Sequence, residues 1–189
     1  MAKITEDVLR DLYEEQDKSD REIAIMFGMT KSNVTYYRRK WGISGKATIS
    51  DKALEDVCKE LKSLGLTVEN KKKSNSSSLY DILVNDKVKL EVRSTETLKE
   101  DTFRFKLLDK ESSSFEESEV RLQLKNGRTK KNLRNTCDFI ILVGYIKSVP
   151  HFWVIPSKDL KDTLYSVSIR PYSDSSKYNI YKDSWHIIS

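Results

Sequence analysis

The sequence predicts two domains of different class, a small all-α domain over residues 1–46 and an α/β domain over residues 47–189. Before residue 43, apolar side chains recur at helical spacing, with capping residues and glycines between the segments. After residue 50, one amphipathic helix precedes several short strand-like runs, a basic stretch that we expect to be helical, and further strands. This α-β-β-β-α-β order is typical of an α/β domain.

Composition restricts the classes of protein to consider. The 189 residues carry a net charge of +5, and no apolar run approaches the roughly 20 residues that a membrane helix needs. The start of the chain has no apolar signal region, and Cys58 and Cys137 lie among apolar neighbours, so we expect a cytoplasmic protein with free thiols. No glycine-rich phosphate loop occurs, which argues against a nucleotide cofactor.

Positive charge is concentrated in two segments. Residues 31–46 contain five basic side chains and no acidic one, and residues 121–134 contain six basic side chains and no acidic one. Two surfaces could therefore contact phosphates, although solvated faces without a partner would have the same composition.

Three short helices are predicted in the all-α domain, over residues 5–16, 20–27 and 31–41. Thr5, Ser19 and Thr30 stand where an N-cap hydroxyl is favoured, and Gly42 stands where a helix commonly ends. Residues 44–50 are predicted to be a linker to the second domain.

Residues 20–39 fit a stricter pattern. Counting from Asp20, Ala24 is fifth, where two helices cross closely, and Gly28 is ninth, where a tight turn needs a positive φ. Val34 is fifteenth, where an apolar side chain holds the second helix against the first. Because all three positions are satisfied, residues 5–43 resemble the helix-turn-helix family.

The resemblance implies that the helix over residues 31–41 enters the major groove of double-stranded DNA and contacts base edges near its N-terminus. The candidate DNA-binding residues are Lys31, Ser32, Asn33, Thr35, Tyr36, Arg38 and Arg39. Asn33 suits adenine, and the basic side chains suit guanine or phosphate. The alternative is a three-helix bundle that binds a protein partner, for example through its acidic first helix.

The α/β domain has a regular series of predicted elements. A helix over residues 51–63 is followed by strands at 66–69, 79–84, 88–95 and 103–108, a helical basic stretch at 119–134, strands at 139–145 and 151–155, and a short helix at 158–164. Residues 71–78 are predicted to be a loop.

A β-hairpin is predicted over residues 79–93, with a three-residue loop over residues 85–87. This loop gives three wholly apolar pairs on a core face, namely Val84 with Val88, Ile82 with Leu90, and Tyr80 with Val92. The same register places Asp81 opposite Glu91 on the other, non-core face. Like charges repel there, and a divalent cation between the carboxylates would compensate. The alternative is a surface hairpin whose charges are only solvated.

An Asp on one strand and Glu-x-Lys on the next, after a helix, resembles the restriction-endonuclease-like superfamily, called PD-(D/E)xK. The motif here is Asp81 followed by Glu91-Val92-Arg93, and the resemblance covers residues 51–164. It implies that Asp81 and Glu91 bind Mg²⁺ or Mn²⁺, with help from the carbonyl of Val92. The strands around residues 139–143 and 152–156 agree with a late strand pair of such nucleases.

Arg93 departs from the family, which has lysine at this position. Arginine stays charged and cannot act as a base, although it can hold a phosphate. Lys89 on the same face, or Lys106 on a neighbouring predicted strand, could take the part of the lysine. Glu55, and Gln123 on the predicted basic helix, are further accessory candidates at the rim of the site.

These features together predict a Mg²⁺-dependent DNA endonuclease of the restriction or mobile-element type, whose helix-turn-helix selects the site. Cutting both strands with one site per chain favours a homodimer. The rival interpretation is a non-enzymatic DNA-binding regulator with an inactive nuclease-like domain, which Arg93 favours.

Overall fold

The computed structural model describes residues 4–74, 77–108 and 118–188. The chain divides into two compact units, the first ending at Ala47 and the second beginning at Thr48. Over the described residues, no helix combines the length and the apolar character needed to cross a membrane.

The first unit is helical throughout its regular structure. Its helices are α1 (Glu6–Arg10), which continues into a π-helical turn over Asp11–Glu15, α2 (Asp20–Met26) and α3 (Lys31–Lys40). The hydroxyls of Ser19 and Thr30 cap α2 and α3 as predicted, whereas Thr5 makes no side-chain cap bond to α1. Gly28 has a φ of +61° in the turn between α2 and α3, which confirms the expected need for glycine.

The apolar residues that the pattern singled out pack together in this unit. Ile23 and Ala24 of α2 and Val34 of α3 are buried in one cluster with Leu9 and Leu12. This cluster holds the three helices together by burial of apolar surface.

The second unit contains both helices and strands. Its helices are α4 (Ile49–Ser63), α5 (Lys71–Ser74) and α6 (Leu133–Thr136). Its strands are β1 (Val68–Asn70), β2 (Ile82–Val84), β3 (Val88–Thr95), β4 (Leu98–Lys99), β5 (Thr102–Lys106), β6 (Arg121–Gln123), β7 (Thr129–Lys131), β8 (Phe139–Ile146), β9 (Val149–Pro156) and β10 (Ser166–Ile169).

A five-stranded sheet in the order β1-β2-β3-β8-β9 forms the centre of the second unit. Strands β3 and β8 are parallel, and the other neighbours are antiparallel. One face of this sheet packs on α4, through a first core that includes Leu54, Val57 and Leu90. The other face is covered by the three-stranded sheet β10-β5-β4, through a second core that includes Phe103 and Trp153.

Two of the predicted elements are wrong. Residues 119–134 do not form a basic helix, because β6 and β7 pair as a hairpin with Arg121 opposite Lys131, and only α6 is helical. The Asn126-Gly127 pair is a turn signal, and Gly127 turns the chain with a φ of +78°. The predicted helix at 158–164 is a single 3₁₀ turn over Ser157–Asp159.

The predicted loop over residues 71–78 is also helical in part. Its first four residues form α5, and residues 75 and 76 lie outside the described residues.

Candidate functional site

The predicted register of the β2–β3 hairpin is confirmed where the two strands pair. Val84 lies opposite Val88, and Ile82 lies opposite Leu90. The two residues at the tip of the loop, Asn85 and Asp86, both have positive φ, which suits a tight hairpin turn.

The regular ladder stops at Asp81, where the sequence predicted that it would continue. The Asp81 amide donates to the carbonyl of Leu90 at 2.9 Å, and the Asp81 Oδ2 accepts a hydrogen bond from the amide of Val92 at 2.8 Å. The predicted pair of Tyr80 with Val92 is therefore wrong. Tyr80 packs against the second core, whereas Val92 belongs to the first.

Glu91 lies in the middle of β3 and is buried, with 1% of its surface exposed. The expectation of a non-core face is wrong, because Glu91 is buried on the side of the central sheet on which the second core lies. Arg93 forms an ion pair with the Glu91 Oε1, and the Lys131 Nζ lies 2.6 Å from the Oε2. Both carboxylate oxygens therefore have a cationic partner.

The pKa of Glu91 is raised above its ordinary value. Burial is the largest cause, and the charge of Asp81 acts in the same direction, while Arg93 and Lys131 oppose it. The hydrogen bonds of Asp81 to Leu90 and Val92, the neighbours of Glu91 in the chain, agree with the predicted proximity of the two carboxylates. Further positive charge nearby would favour the ionised form of Glu91 over the protonated form.

The oxygen atoms at this position are of the kind that a hard divalent cation prefers. Two carboxylates, Asp81 and Glu91, and the carbonyl of Val92 come from neighbouring stretches of chain, and the Arg93 Nη1 donates to that carbonyl at 3.3 Å. Over the described residues, no group of three or more His, Cys, Asp or Glu side chains converges as a metal site.

Lys131 is the member of this cluster that the sequence did not predict. It lies on β7, 40 positions after Glu91, in the stretch that was predicted to be helical. A strand pattern over residues 129–131 would have placed Lys131 on the face opposite the buried Lys130, but no sequence signal pointed that face toward Glu91.

Three other candidates do not join the two carboxylates. The Lys89 ammonium lies over the ring of Tyr80, 5.6 Å from its centroid. Glu55, on α4, is exposed and pairs with Lys73 at 3.1 Å. Gln123 is exposed on β6 rather than on a helix, and its amide donates to the carbonyl of Gly127 at 3.5 Å.

Lys106 lines a cleft that also contains Arg93. The cleft has a volume of about 750 Å³ and lies beside β4, β5 and β10. Arg93 therefore connects the buried carboxylate with an open basic surface, while Lys106 stands further along that surface on β5.

The first unit places most of its candidate residues on an exposed surface of α3. Lys31, Ser32, Asn33, Tyr36 and Arg39 are exposed. Thr35 is half-buried, and its hydroxyl donates to Asp20 at 2.9 Å.

Arg38 was expected to face DNA, and this prediction is wrong. Its side chain is buried, its Nε lies 2.6 Å from Asp20, and it lies over the ring of Tyr13. The guanidinium lowers the pKa of the Asp20 carboxyl through this hydrogen bond. The Asp20–Arg38 pair therefore links α2 to α3 inside the unit.

The sequence matches no family model and no curated protein. Among solved structures, it is similar to the bacterial homing endonuclease I-Ssp6803I, with a TM-score of 0.54 and 14% identity. The match covers 77% of this chain and 93% of that chain. At this identity the similarity shows a shared fold. That neighbour is an endonuclease by name, and the helix-turn-helix and PD-(D/E)xK assignments of this chain stay predictions.

Proposed function

We propose that this protein is a metal-dependent endonuclease of double-stranded DNA, of the restriction or mobile-element type. In this proposal Asp81 and Glu91 hold the metal, and α3 selects the DNA site. The observation that carries it is the buried Glu91 beside Asp81, with a raised pKa, in a chain that shares its fold with a homing endonuclease. Perturbed carboxyl groups of this kind concentrate at functional sites.

Mg²⁺ fits the donor set, because proteins bind it through one or two carboxylates together with waters and substrate phosphates. Asp81, Glu91 and the carbonyl of Val92 would hold it, after Arg93 or Lys131 has moved off a Glu91 oxygen. When bound, the ion would lower the pKa of a water molecule and offset charge on the scissile phosphate. The raised pKa of Glu91 supports this fit, since two cationic neighbours do not fully offset its burial.

The chain's own cations have two separate tasks in this proposal. Arg93 borders the cleft, and its guanidinium would hold an oxygen of the phosphate. Lys131 balances the charge of Glu91 and supplies the ammonium group that the resemblance predicted at position 93. Lys131 is a better candidate for that ammonium than Lys89, which lies over Tyr80, or Lys106, which stands apart on β5.

The first unit would bind DNA through the exposed side chains of α3. Asn33 and Tyr36 lie on the surface of that helix, next to cations that suit phosphate. Two copies of the chain would be needed to cut both strands with one site each, so the proposal includes a homodimer on DNA.

Cleavage of supercoiled plasmid and genomic DNA in Mg²⁺ or Mn²⁺ tests the proposal. Wild type should cut, and Asp81→Asn and Glu91→Gln should lose cleavage while still binding DNA. Asp86→Asn is the matched control, because it removes an exposed carboxylate from the loop of the same hairpin. Loss of cleavage in Asp86→Asn, or wild-type cleavage by both site variants, would contradict the assignment.

A second candidate is a DNA-binding regulator whose nuclease-like unit is inactive. It is favoured by the closed ion pairs of Glu91, because Arg93 and Lys131 balance Asp81 and Glu91 without a metal. In that case the wild type binds DNA in a salt-sensitive manner and cuts nothing. Mg²⁺ would then leave its unfolding midpoint unchanged, whereas a metal site in the folded state raises it.

A further inference from the structure

The three-stranded sheet β10-β5-β4 has two faces of opposite character. On β5, Phe103 and Phe105 are buried in the second core, whereas Arg104 and Lys106, which alternate with them along the strand, are exposed. The alternation follows from strand geometry, in which successive side chains point to opposite faces. The outer face of this sheet is therefore a regular polar surface, which we call the β5 face.

Hydroxyl groups stand beside the cations of the β5 face. On β10, Ser168 lies opposite Arg104, and Ser166 lies opposite Lys106. The Arg104 Nε donates to the Ser166 Oγ at 3.1 Å, which holds the guanidinium along the strand. Cationic and hydroxyl donors are the side chains that contact phosphate oxygens in complexes with DNA.

The cleft beside the β5 face has an excess of cationic residues, and no apolar residue lines it. Four cations, Arg93, Lys99, Arg104 and Lys106, line it together with one acid, Glu100, and the other lining residues are Ser or Thr. Across the described ranges, neither Lys99 nor Lys106 has an acidic partner in an ion pair. These ammonium groups are available to an external anion.

We propose that the β5 face binds the phosphodiester backbone of double-stranded DNA and leads it to Arg93. Arg104 and Lys106 are two residues apart on one strand, so their Cα atoms are roughly 6.6 Å apart and both side chains face one way. This row of charges suits an extended polyanion better than one compact ion. Its binding to DNA stands without catalysis, and only its role in delivering DNA to Asp81 and Glu91 rests on the proposed function.

The composition of the cleft favours nucleic acid over a protein partner. The buried centre of a protein interface is usually apolar or aromatic, with few charged residues. Every residue lining this cleft is charged or carries a hydroxyl group. Such a surface gains its affinity from release of counterions by a polyphosphate.

Binding of the full chain to a fluorescent duplex of random sequence, measured over a series of salt concentrations, tests the proposal. The variant is Arg104→Gln with Lys106→Gln, and the matched control is Lys59→Gln with Lys62→Gln, which removes two exposed cations from α4. Loss of two phosphate contacts should make the slope of log K against log salt shallower by about 1.8 and weaken low-salt binding by about tenfold or more. The control should keep the wild-type slope, and the thermal unfolding midpoint should be the same in all three proteins.

The outcomes separate this surface from the nuclease proposal. A shallower slope in the β5-face variant alone supports the surface, even if the wild type never cuts DNA. Wild-type slope and affinity in that variant overturn it, even if the wild type cuts. If polyglutamate displaces the fluorescent duplex as strongly as unlabelled duplex DNA does, the proposal is overturned in favour of an acidic protein partner. If duplex RNA displaces it more strongly than duplex DNA does, the choice of DNA is overturned.

Discussion

Replacing Glu91 with glutamine tests whether its buried carboxylate stabilises the fold through its ion pairs or lowers the stability because it is buried. Glu91 is 1% exposed, and burial raises its pKa although Arg93 and Lys131 contact it. A raised pKa means that the folded chain holds the proton more tightly than the unfolded chain does. The ionised carboxylate therefore lowers stability at neutral pH. Glutamine resembles the protonated form and removes this penalty.

We expect Glu91→Gln to raise the free energy of unfolding by about 1–2 kcal/mol at neutral pH, because desolvation of a buried ion costs several kcal/mol and the two cations return most of it. The stability that comes from a raised carboxyl pKa is complete below the unfolded pKa of about 4.3 and is lost as the pH rises through the folded pKa. The advantage of the variant should therefore shrink toward zero in acid. Lys131→Met should instead lower stability by about 2 kcal/mol, because Glu91 loses a partner that is 23% exposed.

Urea unfolding followed by tryptophan fluorescence measures these changes. In a Trp41→Phe background the signal comes from Trp153 and Trp185, which both lie in the second unit. The double variant Glu91→Gln with Lys131→Met should recover most of what Lys131→Met loses. If Glu91→Gln is less stable than wild type by more than about 1 kcal/mol at neutral pH, the carboxylate stabilises the fold and the reasoning from its burial is refuted.

Two further changes test the packing of each unit. Asp20→Asn should lower the stability of the first unit by about 3 kcal/mol, because it leaves Arg38 buried without its anion. Since Arg38 lowers the pKa of Asp20, the wild type should lose this contribution as the pH falls through the lowered pKa, and Trp41 fluorescence should show a smaller acid effect in the variant. Gly144→Ala should cost about 2 kcal/mol in urea unfolding, because overpacking a well-packed core is penalised. Its Cβ would lie 2.6 Å from the Phe103 ring, and Phe103→Leu in the same chain should recover part of the loss, whereas strictly additive losses would contradict this contact.

Local patterns in the sequence were sufficient to predict the β2–β3 hairpin as far as the pair of Ile82 with Leu90. The apolar pairs of Val84 with Val88 and Ile82 with Leu90 required one register, because a slip of one residue would have moved one strand's apolar side chains to the other face. The cap residues Ser19 and Thr30 were equally predictable, because a hydroxyl before a helical stripe satisfies free backbone amides. These features depend on neighbours close in the sequence.

The burial of Glu91 depends on contacts that are distant in sequence, so the hairpin pattern could not show it. Lys131 of β7 contacts Glu91 from 40 positions along the chain, and the β4–β5–β10 sheet, at residues 98–106 and 166–169, packs on the same side of the central sheet. A polar residue on an alternating strand predicts solvent, and only the cover over that strand reverses the prediction. Arg38 was misassigned for the same reason, since its buried partner Asp20 lies on another helix.

The presence of arginine at position 93, where the resemblance predicts lysine, is weaker evidence for an inactive site once the neighbours of Glu91 are known. A motif specifies side chains along one strand, whereas the charge balance of a buried carboxylate depends on every group that reaches it. Two carboxylates, Asp81 and Glu91, lie near two cations, of which Arg93 belongs to β3 and Lys131 to β7. An ammonium group is therefore present beside Glu91 although no lysine stands at position 93. Under the proposed function, Lys131 would take the part of the lysine that the resemblance predicts at position 93, so Arg93 alone would not make the site inactive.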